Sequence, residues 1–79
     1  MEIDGFDIDD LFDSEDLESV ERKVEFEQLL KQLSPRDRRI EVLYAFGHTQ
    51  EEIGAIVGLS QRRIGQILQE TSKKHAETR

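Results

Sequence analysis

The sequence contains no cysteine and no tryptophan, and among its 79 residues there are one proline and five glycines. Without cysteine the chain has no disulfide framework and no thiolate metal site. It lacks an apolar run near the roughly 18 residues of a membrane span, and no basic segment precedes an apolar one as in a signal peptide. We expect a cytoplasmic protein, in which the scarcity of proline and glycine favours helices over sheet.

Patterns that would carry catalysis or bind a metal are also missing. The two histidines, His48 and His75, stand far apart in the sequence, without carboxylate or cysteine partners at ligand spacing. The acidic run D-I-D-D-L-F lacks the turn glycine and the final glutamate of a calcium loop, and no P-loop or dinucleotide fingerprint is present. We expect neither an enzyme nor a bound cofactor or metal.

Charge is distributed unevenly along the chain. A chain of 79 residues makes one small domain, which buries only about 60% of its unfolded surface. Residues 1–33 carry twelve acids and three bases, a net of −9, whereas residues 34–79 carry six acids and eight bases, a net of +2. Because local charge decides which surface meets phosphate, the total of −7 does not exclude a nucleic-acid partner.

An acidic segment opens the chain. Over residues 1–14 acids are interspersed with apolar side chains, a pattern that usually stays disordered in isolation. These apolar residues are Ile3, Phe6, Ile8, Leu11 and Phe12. We predict a partly disordered tail that solubilises the chain, orders on a basic and apolar partner, or competes with DNA for the basic face.

Residues 15–33 are interpreted as a linking helix, with Ser14 as a possible N-cap. At about 100° per residue its apolar side chains form two groups on nearly opposite sides. The first is Leu17, Val20 and Val24, and the second is Phe26, Leu29, Leu30 and Leu33. One straight helix cannot bury both groups in one small core. Either the helix breaks near Val24, or the first group contacts a partner, such as a second copy of the chain or another protein.

The next helix has clear boundary signals. Ser34 as N-cap followed by Pro35 at the first helical position predicts its start. It runs to about Phe46, and Gly47 stands where a left-handed C-cap is needed. Ile40, Leu43 and Phe46 supply its apolar face, with Val42 or Tyr44 beside them. Its first turn carries Arg36, Arg38 and Arg39, which either contact phosphate or form a solvated face.

Two short-range patterns then predict a helix-turn-helix. Thr49 and Glu52 form a capping box for a helix over residues 50–57, which Gly58 ends with a positive φ. Ser60 caps a last helix that runs from Gln61 towards Lys74. Ile53, Val57, Ile64 and Ile67 would lock the two helices together over Gly54, which has no side chain at the crossing.

The last helix separates an apolar arc from a polar one. Ile64, Ile67, Leu68 and Thr71 share one arc, and Arg62, Gln66, Gln69 and Lys73 lie opposite. Arginine can bond guanine in a two-pronged manner and glutamine can bond adenine, each pair discriminating by about 1–3 kcal/mol. Gly65 is expected at the groove mouth, where it allows close approach to the DNA backbone.

Residues 33–74 contain the patterns L-S-x-R-x-R-x-I, T-x-E-E-I-G and L-S-x-x-R-I-x-Q-I. In these the chain resembles the fourth conserved region of bacterial primary sigma factors. The resemblance implies a helix-turn-helix that recognises the promoter −35 element and docks on the flap of the polymerase β subunit. It also implies a prokaryotic, phage or plasmid origin.

Carried over by position, the resemblance implies base contacts from Gln61, Arg62 and Gln66 and backbone contacts near Thr49, Ser60 and Arg63. Sigma factors tend to carry an acid where Arg62 stands and an arginine where Gly65 stands, so the preferred DNA sequence should differ. The aromatic promoter-melting region has no counterpart here, and the chain is not expected to act as a complete sigma factor.

We therefore predict an all-α protein: a tail over residues 1–14, a linking helix over 15–33 and a helix-turn-helix domain over 34–79. Its predicted function is sequence-specific binding of double-stranded DNA in transcription regulation, with base reading by Gln61, Arg62, Gln66 and Gln69. Backbone contacts are assigned to Thr49, Gln50, Ser60, Arg63 and Lys73. A homodimer contact is assigned to Leu17, Val20 and Val24. The alternative is a module that binds RNA polymerase or a sigma or anti-sigma partner through the acidic N-terminus, within residues 1–24, and the sigma-like domain.

Overall fold

The computed structural model describes residues 2–12 and 16–77, with side chains described as far as Lys74. The described residues form a short β-hairpin, a 3-10 helix at Ile8–Leu11 and four α-helices. The strands are β1 (Glu2–Ile3) and β2 (Phe6–Asp7), and the helices are α1 (Leu17–Lys31), α2 (Pro35–Ala45), α3 (Gln50–Val57) and α4 (Gln61–Glu77). The mostly helical fold with a helix-turn-helix confirms the predicted class.

The acidic N-terminal segment, predicted as a partly disordered tail over residues 1–14, forms a β-hairpin and a 3-10 helix over residues 2–12. Strands β1 and β2 pair antiparallel, and the turn between them has positive φ at Asp4 and Gly5, as the favoured two-residue hairpin turn requires. A hairpin this small is at best marginal by itself. The hairpin is therefore ordered by its packing on the helices. The sequence of this segment alone does not show that packing.

Apolar side chains of this segment complete the core. Ile8 is fully buried in a cluster with Leu30 of α1 and Val42 of α2. The Phe6 ring lies 4.5 Å from the Phe46 ring, centroid to centroid, and meets the His48 ring edge-on at 5.8 Å. The segment thus covers a surface that α1 and α2 would otherwise expose to water.

Helix α1 is continuous through Val24, so the break considered as one alternative is not present. Its N-cap is Asp16, whose carboxylate accepts the Glu18 N–H at 3.0 Å; the cap proposed at Ser14 lies outside the described residues. Leu29 and Leu30 are buried, whereas Leu17, Val20 and Val24 are 74%, 38% and 46% exposed. The second predicted group packs in the core, and the first remains on the surface.

Helix α2 is the central layer between two apolar clusters. One cluster, within the helix-turn-helix, comprises Ile40, Leu43, Ile53, Ile64, Ile67 and Leu68. The other comprises Ile8, Leu29, Leu30, Leu33 and Val42. Because α2 contributes to both clusters, Val42 is buried, while Tyr44 is 51% exposed. Of these two residues, Val42 is therefore the one that joins the apolar face of the helix.

Basic side chains join the N-terminal half together. Arg38 donates from Nε to the Leu30 carbonyl at 2.9 Å and from Nη2 to the Leu33 carbonyl at 3.2 Å. These carbonyls lie at and just beyond the C-terminal end of α1, and the Leu30 carbonyl also accepts the Leu33 N–H at 3.2 Å. Arg39 pairs with Asp4 of the hairpin at 3.0 Å, and Lys23 pairs with Asp9.

Candidate nucleic-acid interface

Helix α3 begins and ends as its capping residues predict. The Thr49 hydroxyl accepts the Glu52 N–H at 3.1 Å, and the Glu52 carboxylate accepts the Thr49 N–H at 3.1 Å. This backbone hydrogen bond from Thr49 lowers the pKa of Glu52. At the other end Gly58 adopts φ 79°, and its N–H bonds the Gly54 carbonyl at 2.8 Å.

Gly54 is required by the turn itself rather than by α4. A Cβ atom at this position would lie 2.5 Å from the Leu59 carbonyl oxygen and 3.5 Å from the Gln61 nitrogen. The oxygen belongs to the turn and the nitrogen to the first residue of α4, and neither backbone atom can rotate away as a side chain could. The predicted need for glycine is met, but the crowded neighbour is the turn.

Helix α4 has the predicted division into two arcs. The Ser60 hydroxyl accepts the Arg63 N–H at 3.1 Å, and the helix continues to Glu77, beyond the predicted end near Lys74. Ile64, Ile67, Leu68 and Thr71 are buried against the rest of the domain. The side chains on the outer face are exposed: Gln61, Arg62, Gln66, Gln69 and Lys73.

Arg62 differs from the other arginines in the described ranges. Five of these six residues have a hydrogen-bond or ion-pair partner, namely Arg22, Arg36, Arg38, Arg39 and Arg63. Within residues 2–12 and 16–77 Arg62 has none. Its guanidinium is exposed on α4 with all of its donors available for an external acceptor.

The outer face of α4 borders a shallow cleft towards α3. The cleft is lined by Gln50, Ser60, Gln61, Arg62, Gly65, Gln66 and Gln69. It brings two of the predicted backbone-contacting residues, Gln50 and Ser60, beside all four predicted base-reading side chains. Gly65 is half-buried in this cleft rather than open at its mouth.

Of the predicted backbone contacts, Thr49, Arg63 and Lys73 do not line this cleft. Thr49 and Ser60 are exposed, although each hydroxyl already accepts a capping N–H. Arg63 is half-buried, with Nη1 3.4 Å from Gln66 Oε1 and 4.0 Å from Glu70 Oε1. Lys73 lies one turn beyond Gln69 on the exposed face.

The arginines at the start of α2 are mostly engaged elsewhere. Arg38 bonds the end of α1, Arg39 pairs with Asp4, and Arg36 lies 3.2 Å from Asp37. For Arg38 neither a phosphate contact nor a solvated face is correct, because its guanidinium is partly buried on carbonyl groups. The sequence shows three equivalent arginines, and only the packing of α1 distinguishes them.

Helix α3, the turn at Gly58 and the open face of α4 define a helix-turn-helix domain of the DNA-binding class. The family profile of sigma-70, region 4, matches residues 29–74. The chain belongs to the sigma-70 region 4 family, which is a family of DNA-binding helix-turn-helix domains. Comparison of the chain with curated proteins and with solved structures gives no match.

Two further properties concern only the part of the chain that the structure describes. None of its helices is long and apolar enough to cross a membrane. None of its clusters of histidine, aspartate and glutamate side chains has the three members needed to hold a metal ion.

Proposed function

We propose that this protein binds double-stranded DNA sequence-specifically in transcription regulation, with α4 in the major groove. The observation that carries the proposal is the exposed face of α4, where Arg62 has no partner among the described residues. An α-helix fits the major groove, and each base pair presents a distinct donor and acceptor pattern there. A helix face that presents amide and guanidinium groups is suited to that pattern.

The chemistry of each side chain assigns it a role. Arg62 can donate two parallel hydrogen bonds to guanine, and Gln61, Gln66 and Gln69 can each donate to and accept from adenine. Arg63 lies near the Gln66 oxygen, which leaves the amide N–H groups of Gln66 for an acceptor on a base. The preferred site should therefore combine one guanine contact with several adenine contacts.

The phosphate contacts differ between the two helix N-termini. The first turn of α3 carries Glu51 and Glu52, whereas the first turn of α4 carries no acid. Since the helix dipole attracts phosphate and nearby carboxylates oppose it, the N-terminus of α4 is the stronger phosphate site. Positioning contacts are assigned to Thr49, Gln50, Ser60, Arg63 and Lys73.

The affinity of one copy should be modest and sensitive to salt. The face of α4 carries few cations, and each phosphate neutralised adds to the dependence on salt concentration. The net charge of −7 further opposes approach to DNA. Useful affinity would then come from a second copy or from another transcription protein bound beside it.

The test is a selection of bound sequences from random duplex DNA, followed by titration of the selected site and a random duplex at two salt concentrations. Replacement Arg62→Ala should remove about 1–3 kcal/mol of preference at one guanine position. Arg36→Ala, which also removes an exposed arginine, is the matched control and should leave preference unchanged. Equal binding of both duplexes by the parent protein would contradict sequence-specific recognition.

A second function is favoured by the apolar surface of α1. Leu17, Val20 and Val24 lie on one side of that helix and are all exposed. The apolar side chains of residues 2–12 pack on the chain's own core, so this surface is the exposed apolar part of residues 16–24. We propose that it contacts a second copy of the chain, or RNA polymerase or a sigma or anti-sigma protein.

Sedimentation of the parent and of Val20→Glu with Val24→Glu tests this contact. A dimeric parent and a monomeric variant would support the homodimer. A monomeric parent that binds polymerase only while these valines are intact would support the protein partner. Unchanged mass and unchanged polymerase binding in the variant would rule out both.

A further inference from the structure

The side chain of Gln50, the first residue of α3, lies where it could have a further role. We propose that Gln50 reads a base edge, and that it does so because Gly65 leaves room for its carboxamide above α4. This inference rests on the proposed DNA binding by α4. It changes the role of Gln50 from a residue that only positions the DNA backbone to one that determines sequence preference.

The geometry at Gly65 is the first observation. A Cβ atom built on Gly65 would lie 3.1 Å from Gln50 Oε1, 3.7 Å from Cδ and 3.9 Å from Nε2. The whole carboxamide of Gln50 therefore lies over the Cα atom of Gly65. A Cβ atom at position 65 would require this carboxamide to move by a few tenths of an ångström, so glycine lets Gln50 lie directly on the surface of α4.

The spacing along α4 is the second observation. Gln61, Gly65 and Gln69 follow one another at intervals of four residues and therefore share one flank of the helix. Gln50 supplies a carboxamide at the middle position, where the helix itself has none. The three carboxamides then span about 12 Å along α4, which corresponds to about three steps of a DNA duplex at 3.4 Å per step.

The surroundings of Gln50 are the third observation. It lines the cleft that also contains Arg62, Gln66 and Gln69, and a second cleft with Tyr44 and Ser72. Among the described side chains, the Gln50 carboxamide has no hydrogen-bond partner. The carboxamide thus lies between Gln61 and Gln69 of α4. Its donor and its acceptor are both available for the paired contact that glutamine makes with adenine.

This arrangement is compatible with a phosphate contact through the backbone. Gln50 is the first residue of α3, and its N–H belongs to the first turn, which has no acceptor within the helix. Replacement of the side chain leaves that N–H in place. A base-reading side chain and a phosphate-binding backbone at the same residue can therefore be separated by mutation.

The experiment is selection from random duplex DNA with the full chain, its Gln50→Ala variant and a Gln28→Ala control, which removes an exposed glutamine on α1. Gln50→Ala should lose preference for adenine at one base pair, by about 5- to 100-fold, and should keep the rest of the selected sequence. Gln28→Ala should select the same sequence as the parent.

Gly65→Ala provides an independent variant that adds a group without removing the glutamine. Because the new methyl group shifts the carboxamide by a few tenths of an ångström, this variant should weaken preference at the same base pair as Gln50→Ala. The double variant should select the same sequence as Gln50→Ala alone, since Gly65 acts through Gln50. Thermal unfolding of each variant checks that the domain is intact.

Three outcomes would overturn the inference. The first is an unchanged selected sequence in Gln50→Ala with equal weakening at every site, which would show that the side chain contacts only phosphate. The second is unchanged affinity and unchanged sequence. In the third, the parent protein selects no sequence at all, which contradicts both the proposed function and the inference. The first two outcomes contradict only the inference.

Discussion

The basic side chains of α1 and α2 are used differently from those on the outer face of α4. Arg38 holds the C-terminal carbonyls of α1, Arg39 pairs with the hairpin and Lys23 pairs with the 3-10 helix. Arg62 on α4 has no such partner among the described residues. Side chains of one charge thus assemble the scaffold in one region and remain available to a ligand in the other.

The difference explains how an acidic chain can carry a DNA-binding surface. Two of the N-terminal acids pair with cations of α1 and α2: Asp9 with Lys23 and Asp4 with Arg39. Asp9, for example, has its pKa lowered by its hydrogen bond with Lys23. The net charge of the chain therefore does not describe the outer face of α4, where Arg62 is the arginine without a partner among the described residues.

Truncation of Ile8 tests most strongly whether the N-terminal segment belongs to the scaffold. Ile8 is fully buried between α1 and α2, so Ile8→Ala should lower the free energy of unfolding by about 2–5 kcal/mol. Ile56→Ala on α3 is the matched control, because Ile56 is half-exposed, and it should cost less than about 1 kcal/mol. Denaturant unfolding measures both. Equal losses of unfolding free energy in the two variants would show that residues 2–12 are only a loosely attached tail.

The next largest effect on stability is expected at two glycines, Gly54 in the scaffold and Gly65 on α4. Gly54→Ala places a methyl group 2.5 Å from the Leu59 carbonyl oxygen and should destabilise the domain by about 1–3 kcal/mol. Gly65→Ala meets only the flexible end of Gln50 and should raise stability by up to about 1 kcal/mol through helix propensity. Thermal unfolding compares them; a stabilised Gly54→Ala variant would disprove the close approach.

Glu41 provides a smaller, pH-dependent test of the scaffold. Burial raises the pKa of Glu41 from 4.5 to about 7, the nearby Asp37 carboxylate adds to the rise, and the hydrogen bond with Thr71 opposes it. The unfolded chain releases this proton near pH 4.5 and the folded chain near pH 7. Stability from this group is therefore lost as pH rises through that interval.

The variant Glu41→Gln removes this loss. It should be more stable than the parent at pH 8 by roughly 1–2 kcal/mol, a value reduced because the carboxyl is partly exposed. At pH 4 both side chains are neutral and the two proteins should have similar stability. Denaturant unfolding at the two pH values measures the difference, and a gap that is the same at both would contradict the raised pKa.

Local patterns were sufficient to predict much of the helix-turn-helix. The caps at Ser34, Thr49 and Ser60, the left-handed Gly58 and the buried isoleucines of α4 are all as expected. Each depends on residues within about four positions in the chain, where helix geometry fixes which groups meet. The exposure of Arg62, Gln66 and Gln69 followed from the same periodicity.

Contacts between distant residues could not be predicted in this way. The pattern of acids and apolar residues over residues 2–12 does not show that Ile8 fits between α1 and α2. The three arginines of α2 are equivalent until the end of α1 is placed beside Arg38. The approach of Gln50 to Gly65 joins two helices across the turn, and no sequence period connects them.

The most direct measurement of the central claim compares Arg38→Ala with Arg62→Ala in two assays, denaturant unfolding and binding to a selected DNA site. Arg38→Ala should lower the free energy of unfolding by about 1–3 kcal/mol and leave base preference unchanged. Arg62→Ala should change stability by less than about 0.5 kcal/mol and lose preference at one base pair. If Arg62→Ala destabilised the fold and kept the base preference of the parent protein, the separate roles of Arg38 and Arg62 would be contradicted.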